Sequence, residues 1–157
     1  LGVTFDPVRN ELFRAVLGQG AYLNDIPLQV SSKTDLKQSV IGVDLGYSDD
    51  KARRMLRFLA HVCTDLAAIR IMGSGALGLA YVASGRIDLY THLNLLPWDV
   101  APGILLVNEA GGITNDVEGG MSTINEPTIV AGNRAIQTQF MGLTSNKDWN
   151  TPTELFH

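Results

Sequence analysis

A single cysteine, Cys63, stands in the 157-residue chain. No internal disulfide can form, which fits a reducing cytoplasm, and the helical pattern around Cys63 predicts a buried thiol. Long apolar runs are also missing. Arg70 and Arg86 interrupt the most hydrophobic region, so no segment is long and continuous enough to span a bilayer. Charge is sparse, at 18% of residues, and the excess is acidic, with 16 Asp and Glu against 12 Lys and Arg. A net charge of −4 exerts no long-range pull toward DNA, RNA or an anionic membrane, so neither nucleic acid nor membrane is expected as a partner. The chain opens Leu1-Gly2-Val3-Thr4-Phe5, with no initiator Met and no basic leader. A segment that once preceded it is therefore expected to have been truncated or cleaved.

What is present is apolar material in short, punctuated runs. A hydrophobic content of 45% excludes a disordered chain and suffices for a sizeable core. Residues 3–5 and 12–17 read as strands joined by the turn Asp6-Pro7-Val8-Arg9-Asn10. Gly18-Gln19-Gly20 and Asn24-Asp25-Ile26-Pro27 reverse the chain around further strands at 21–23 and 28–30. Four short strands in succession imply antiparallel pairing, and so few strands need a larger sheet to bury their apolar face.

The polar stretch 31–37 marks a boundary, with the last strands of one domain over 1–32 and an α/β domain over 33–144. Strands are predicted at 39–45, 68–72, 86–92, 113–115 and 128–131. Between them fall helices at 49–65, 74–84 and 100–110, with a last helix at 134–143, and residues 145–157 read as a tail that Trp149 and Phe156 could anchor. On the first helix Met55, Leu56, Leu59 and Val62 recur at helical spacing. The fold class is α/β (α+β overall): remnant antiparallel strands, then an α/β layer whose sheet is mostly parallel.

Two motifs carry chemistry. Gly73-Ser74-Gly75-Ala76-Leu77-Gly78 follows a strand and opens a helix, the geometry in which free amides and small residues approach an anion. A dinucleotide-binding oxidoreductase would also need an acid about twenty residues on. Leu93 holds that position, and Asp88 comes too early, so a phosphate monoester is the better ligand. The same glycines could instead serve only close packing of helix on sheet. Trp98-Asp99 lies at the mouth of the helix stopped by Gly111-Gly112. Asp99 reads as an N-cap, with Pro102 tolerated in the first turn. A noncatalytic scaffold, in which Asp99 and Gly73 are purely structural, is the other alternative.

Trp98-Asp99-Val100-Ala101-Pro102-Gly103 with Glu109-Ala110-Gly111-Gly112 resembles the C-terminal signature of the inositol monophosphatase family of magnesium-dependent phosphatases. Phe5-Asp6-Pro7, Glu11-Leu12-Phe13, the run from Gly18 to Asn24, and Arg70-Ile71-Met72-Gly73-Ser74-Gly75 resemble that family's middle strands and phosphate-contacting turn, in the family's order. The resemblance implies a layered sandwich of the sugar phosphatase type, a bound Mg²⁺, a small phosphorylated substrate and a homodimer. It makes Asp99 a metal ligand and places Gly73, Ser74 and Gly75 against the substrate's phosphate.

Arg70, Tyr47 and His92 take substrate-side positions by the same resemblance. Arg70 could equally pair with a structural carboxylate. His92 replaces the Glu that holds a ring hydroxyl in inositol phosphatases, and it could equally be an ordinary strand-end histidine. The family's Glu-Glu pair and Asp-Pro-Ile-Asp-Gly-Thr loop have no counterpart here. Asp6-Pro7-Val8-Arg9-Asn10 puts Arg9 and Asn10 where Asp and Gly are required, so it is read as a turn. The chain is thus expected to be the C-terminal half of such an enzyme, supplying Asp99 and a phosphate cradle but no catalytic residue, and to be inactive alone.

Overall fold

The computed structural model describes residues 1–46 and 49–144, so Tyr47 and the tail with Trp149 and Phe156 lie outside the described residues. Alternation of buried and exposed positions makes the first segment a sheet. Its strands β1 (Gly2–Asp6), β2 (Glu11–Ala15), β3 (Ala21–Leu23) and β4 (Ile26–Pro27) pair antiparallel in that order. Asp6 builds the first turn by accepting from the amides of Val8 and Arg9 and from the Arg9 guanidinium, at 2.9, 3.2 and 3.0 Å. The fourth strand falls at 26–27 rather than 28–30. Asn24 adopts a left-handed φ of 53°, so the two-residue loop Asn24-Asp25 closes at once and pairs Leu23 with Ile26.

The second sheet contains β5 (Val40–Val43), β6 (Ala68–Ile71), β7 (Leu89–His92), β8 (Ile113–Asn115) and β9 (Ile129–Gly132) in the order β6-β5-β7-β9-β8. It is mixed. β5 pairs parallel with both β6 and β7, whereas β9 runs antiparallel to both β7 and β8. The parallel part follows from the helical crossovers α1 (Asp49–Val62) and α2 (Gly75–Ala83). No helix joins β8 to β9, and the chain simply doubles back.

The helices make the layers. α2 and α3 (Pro97–Glu109) lie between the two sheets, where Phe13 and Ala15 of β2 share one core with Leu79, Val82, Tyr90, Leu106 and Ala131. On the far face of the mixed sheet, α1 and α4 (Arg134–Thr144) cover Ile41, Val43, Leu89 and Val130 with Met55, Phe58, Val62, Ile136 and Phe140. Phe58 and Phe140 meet edge to face at 5.3 Å, a geometry worth about 1 kcal/mol beyond burial. Leu56, expected inward, is 41% exposed, and Phe58 takes its place in the core. Cys63 is exposed rather than buried, because α1 ends at Val62 and the chain tightens into a 3-10 turn over Cys63–Asp65 that rotates the thiol off the packed face.

Two ionic contacts lock the antiparallel sheet to the rest. Glu11 receives both terminal nitrogens of Arg86 at 2.6 and 2.7 Å, and that guanidinium lies over the Phe13 and Tyr81 rings. Glu109, at the end of α3, accepts from the amides of Gly18 and Gly20 at 2.8 and 2.7 Å. These bonds hold its carboxyl below the usual range despite opposing desolvation. Because α2 follows β6 and α3 follows β7, both helices begin at the carboxyl ends of the parallel strands.

Candidate active site

A cleft of about 410 Å³ opens at that end, where β5, β6 and β7 stop and α2 and α3 start. Open α/β sheets bind ligands in this position. Gly73, Ser74 and Gly75 line one part of it, and Asp99 and His92 line others. The motifs around Ser74 and Asp99, distant in sequence, thus meet on one cavity.

The Ser74 turn is shaped by one glycine conformation and two hydrogen bonds. Gly73 adopts φ 75°, a left-handed conformation that suits glycine. Its amide donates to the Asp44 carboxylate, so it is committed inside the protein rather than offered to a ligand. Ser74 is the N-cap of α2 and accepts from the Leu77 amide at 3.3 Å. The next two amides, of Gly75 and Ala76, are first-turn groups with no intrahelical acceptor. They and the Ser74 hydroxyl are the donors an anion would meet, at the positive end of the helix. A side chain at Gly75 would come within 2.5 Å of Leu95, so glycine lets the turn approach the loop after β7.

Asp99 is not the N-cap. Pro97, with φ preset for a first helical residue, starts the helix after Leu96, which makes Asp99 its third residue. Its Oδ2 reaches back to the Leu96 amide at 3.4 Å, a long contact that leaves the carboxylate facing the cleft. Pro102 consequently sits inside the helix rather than in its first turn. It deprives the Trp98 carbonyl of its ordinary donor.

His92 ends β7 with 4% of its surface exposed. Burial pulls its pKa below the ordinary value, against the pull of Asp44 and Asp99. Its Nδ1 accepts from the Asn94 amide at 2.8 Å, so the hydrogen-bond network assigns the proton of the neutral ring to Nε2. A pH dependence follows. The unfolded chain binds this proton first, so stability falls as pH drops below the unfolded value of 6.5 and keeps falling until folded His92 titrates. Denaturant titrations between roughly pH 7 and pH 5.5 should show this slope, and His92→Gln should flatten it.

Arg70 lies apart. It is exposed on the edge strand β6, donates to the Ile69 carbonyl at 2.9 Å, and does not line the cleft. Among the described residues it also pairs with no carboxylate. Asp44 is the group that motif reading overlooked. It is buried after β5 and accepts from Gly73 and, at 2.8 Å, from the Tyr90 hydroxyl. Burial and the Asp44 charge push the Tyr90 phenol far above its ordinary range, so it remains a donor. An acid closing an otherwise apolar strand was the available signal. Asn94, whose side chain accepts from Lys51 of α1, was likewise unmarked.

Among the described residues no group of three or more His, Cys, Asp or Glu side chains is placed to hold a metal ion. Two carboxylates among the described residues line the cleft, and because Asp44 already accepts from Gly73 and Tyr90, Asp99 is the less engaged of the two. One less engaged carboxylate does not make a magnesium site. The dinucleotide alternative fares no better. Asp88 lies before β7, at the opposite end of the sheet, and accepts from the Val40 amide and Lys33 at 2.7 and 2.9 Å.

The profile described as "Inositol monophosphatase family" matches residues 1–148. "Nus factor SuhB" of Pasteurella multocida is 42% identical over 132 residues, covering 83% of this chain and 49% of the relative. "Inositol-1-monophosphatase" of Mesorhizobium japonicum is 38% identical over 137 residues, covering 87% and 52%. Among solved structures, the extragenic suppressor protein suhB of Bartonella henselae superposes with a TM-score of 0.86 at 38% identity, covering 92% of this chain and 56% of its own. The inositol monophosphatase of Anabaena gives 0.84 at 32%, covering 91% and 57%. The chain spans about half the length of the curated relatives it matches. With the profile covering nearly all of the chain and the layered sheets superposing on these structures, the chain belongs to the inositol monophosphatase family.

Proposed function

We propose that this chain forms the substrate-facing half of a magnesium-dependent hydrolase acting on a small phosphate monoester such as an inositol, sugar or polyol phosphate. The observation that carries the reading is the meeting of Asp99 with the Ser74 turn on one cleft. The Gly75 and Ala76 amides and the Ser74 hydroxyl donate to the phosphate oxygens, and Gly73 supplies the bend that exposes them. Asp99 would contribute one oxygen ligand to a metal ion, and the remaining ligands would have to be supplied from outside the described residues. A magnesium ion held there would supply charge to polarise the phosphate and lower the pKa of water, with Asp99 as the ligand this chain offers. His92 offers its Nε2 proton to the substrate's remainder.

The reading includes a cytoplasmic protein, supported by the exposed Cys63 thiol. No helix of the described residues is long and apolar enough to cross a membrane. It also includes a homodimer, for which outward-facing Val3, Phe5 and Leu12, 45, 51 and 37% exposed, offer apolar surface. Sedimentation tests that assembly. A noncatalytic binding domain is the second reading, favoured by the incomplete metal set and by relatives named Nus factors.

Incubation of the 157-residue chain with Mg²⁺ and a panel of phosphate monoesters is expected to release no phosphate above background. Robust Mg²⁺-dependent turnover would show that this chain holds a complete set of ligands and would overturn the half-site assignment.

A further inference from the structure

Basic charge is concentrated on one helix of this acidic chain. Four of its 12 Lys and Arg fall within the 14 residues of α1, which holds only two of its 16 Asp and Glu. Asp49 and Asp50 occupy the first turn, where the helix dipole favours them. Arg53 and Arg57 follow one turn apart, with His61 a further turn on, so basic side chains stack along one ridge. Like charges so stacked repel, and among the described residues neither arginine reaches a carboxylate. Beside that ridge runs an apolar one, made of Leu56 and Ala60. At about 100° per residue the five positions cover roughly 140° of the helix surface, and they lie opposite Met55, Phe58, Leu59 and Val62 in the core. Arg53, Leu56, Ala60 and His61 are exposed, and Arg57 is half-buried.

An anionic partner relieves the repulsion, and the apolar ridge decides its kind. A phosphodiester strand offers nothing to Leu56, and a molecule with net charge −4 lacks the further cations needed to neutralise the several phosphates on which nucleic-acid affinity rests. A helix with carboxylates on one side and apolar residues on the other matches both ridges. Its acids repeat at the same one-turn spacing, and Ala60 lets its backbone come close. We propose that this face of α1 docks an acidic amphipathic helix of a partner protein, with carboxylates on Arg53 and Arg57 and apolar side chains on Leu56 and Ala60. The surface lies across the mixed sheet from α2 and α3, so it stands apart from the phosphate reading.

Fluorescence anisotropy of a labelled helical peptide of about 20 residues, with Glu and Leu each repeating at one-turn spacing, tests this on the 157-residue chain. A dissociation constant on the order of 10 µM is expected, rising with salt. Gln in place of every Glu of the peptide should weaken binding about tenfold, as should the double variant Arg53→Gln, Arg57→Gln, and Leu56→Gln should weaken it about threefold. Absence of binding, or equal affinity for the Glu and Gln peptides, would overturn the assignment. Affinity unchanged in the double variant or in Leu56→Gln would overturn it as well. Tighter binding of single-stranded RNA of the same length would overturn it in favour of nucleic acid.

Discussion

Gly103→Val is expected to destabilise the chain by about 3 kcal/mol, the upper end of the range for overpacking a core. Gly103 lies in α3 where it crosses α2, and a β-carbon there would fall 2.3 Å from Cδ1 and 2.5 Å from Cβ of Leu79. The Cβ contact decides the sign, because it sits one bond from the backbone of α2 and cannot swing away as a chain end can. Alanine normally gains about 1 kcal/mol over glycine within a helix, yet Gly103→Ala should still lose stability. Gly142 in α4 provides the contrast. Nothing lies within 4 Å of its would-be β-carbon, so Gly142→Ala should stabilise by up to about 1 kcal/mol. Thermal unfolding of the three variants checks both signs. The valine variant should melt roughly 10 °C lower, and an unchanged midpoint would mean that α2 and α3 do not approach this closely.

Asp44→Ala should be nearly as damaging, and it should damage the cleft specifically. The substitution strands two donors, the Gly73 amide and the Tyr90 hydroxyl, each costing about 1–3 kcal/mol when left buried and unpaired. It also frees the turn that presents the Gly75 and Ala76 amides, so phosphate affinity should fall with stability. Asparagine can accept from Gly73 through its carbonyl and donate to Tyr90 through its amide, so Asp44→Asn should recover most of both. A cycle with Tyr90→Phe should give a coupling of about 1–2 kcal/mol. Denaturant titration and phosphate binding on the four proteins are the measurements. Additive losses would deny the bond between Asp44 and Tyr90 an energetic role.

Much of this architecture is written locally. Alternating strands with tight turns predict the first sheet, and strands separated by helices predict the β5, β6 and β7 part of the second. The antiparallel pairing of β9 with β7 and β8 was not legible, because the stretch from 116 to 128 is long enough for a parallel crossover and only the absence of a helix in it separates the two cases. Ser74 and Asp99 stood out because the glycines around Ser74, and Pro102 with the Gly111-Gly112 stop after Asp99, flag helix boundaries. Asp44 did not, because its role comes from partners 29 and 46 positions away, and no local pattern encodes them. Asp99 was misplaced by three positions, as N-cap instead of third helical residue, because a strong N-capping side chain outweighed Pro97, the residue that sets the first φ. Arg70 faces outward on an edge strand, a fact of sheet order that its spacing from Gly73 could not convey.

Amide-detected NMR during addition of inorganic phosphate tests the central claim most directly. The account predicts saturable shifts centred on Ser74, Gly75 and Ala76, with a second set at Asp99 and its neighbours once Mg²⁺ is added, and little change at Val40 and Asp88 across the sheet. Shifts that bypass the α2 start, or none at saturating phosphate, would contradict it.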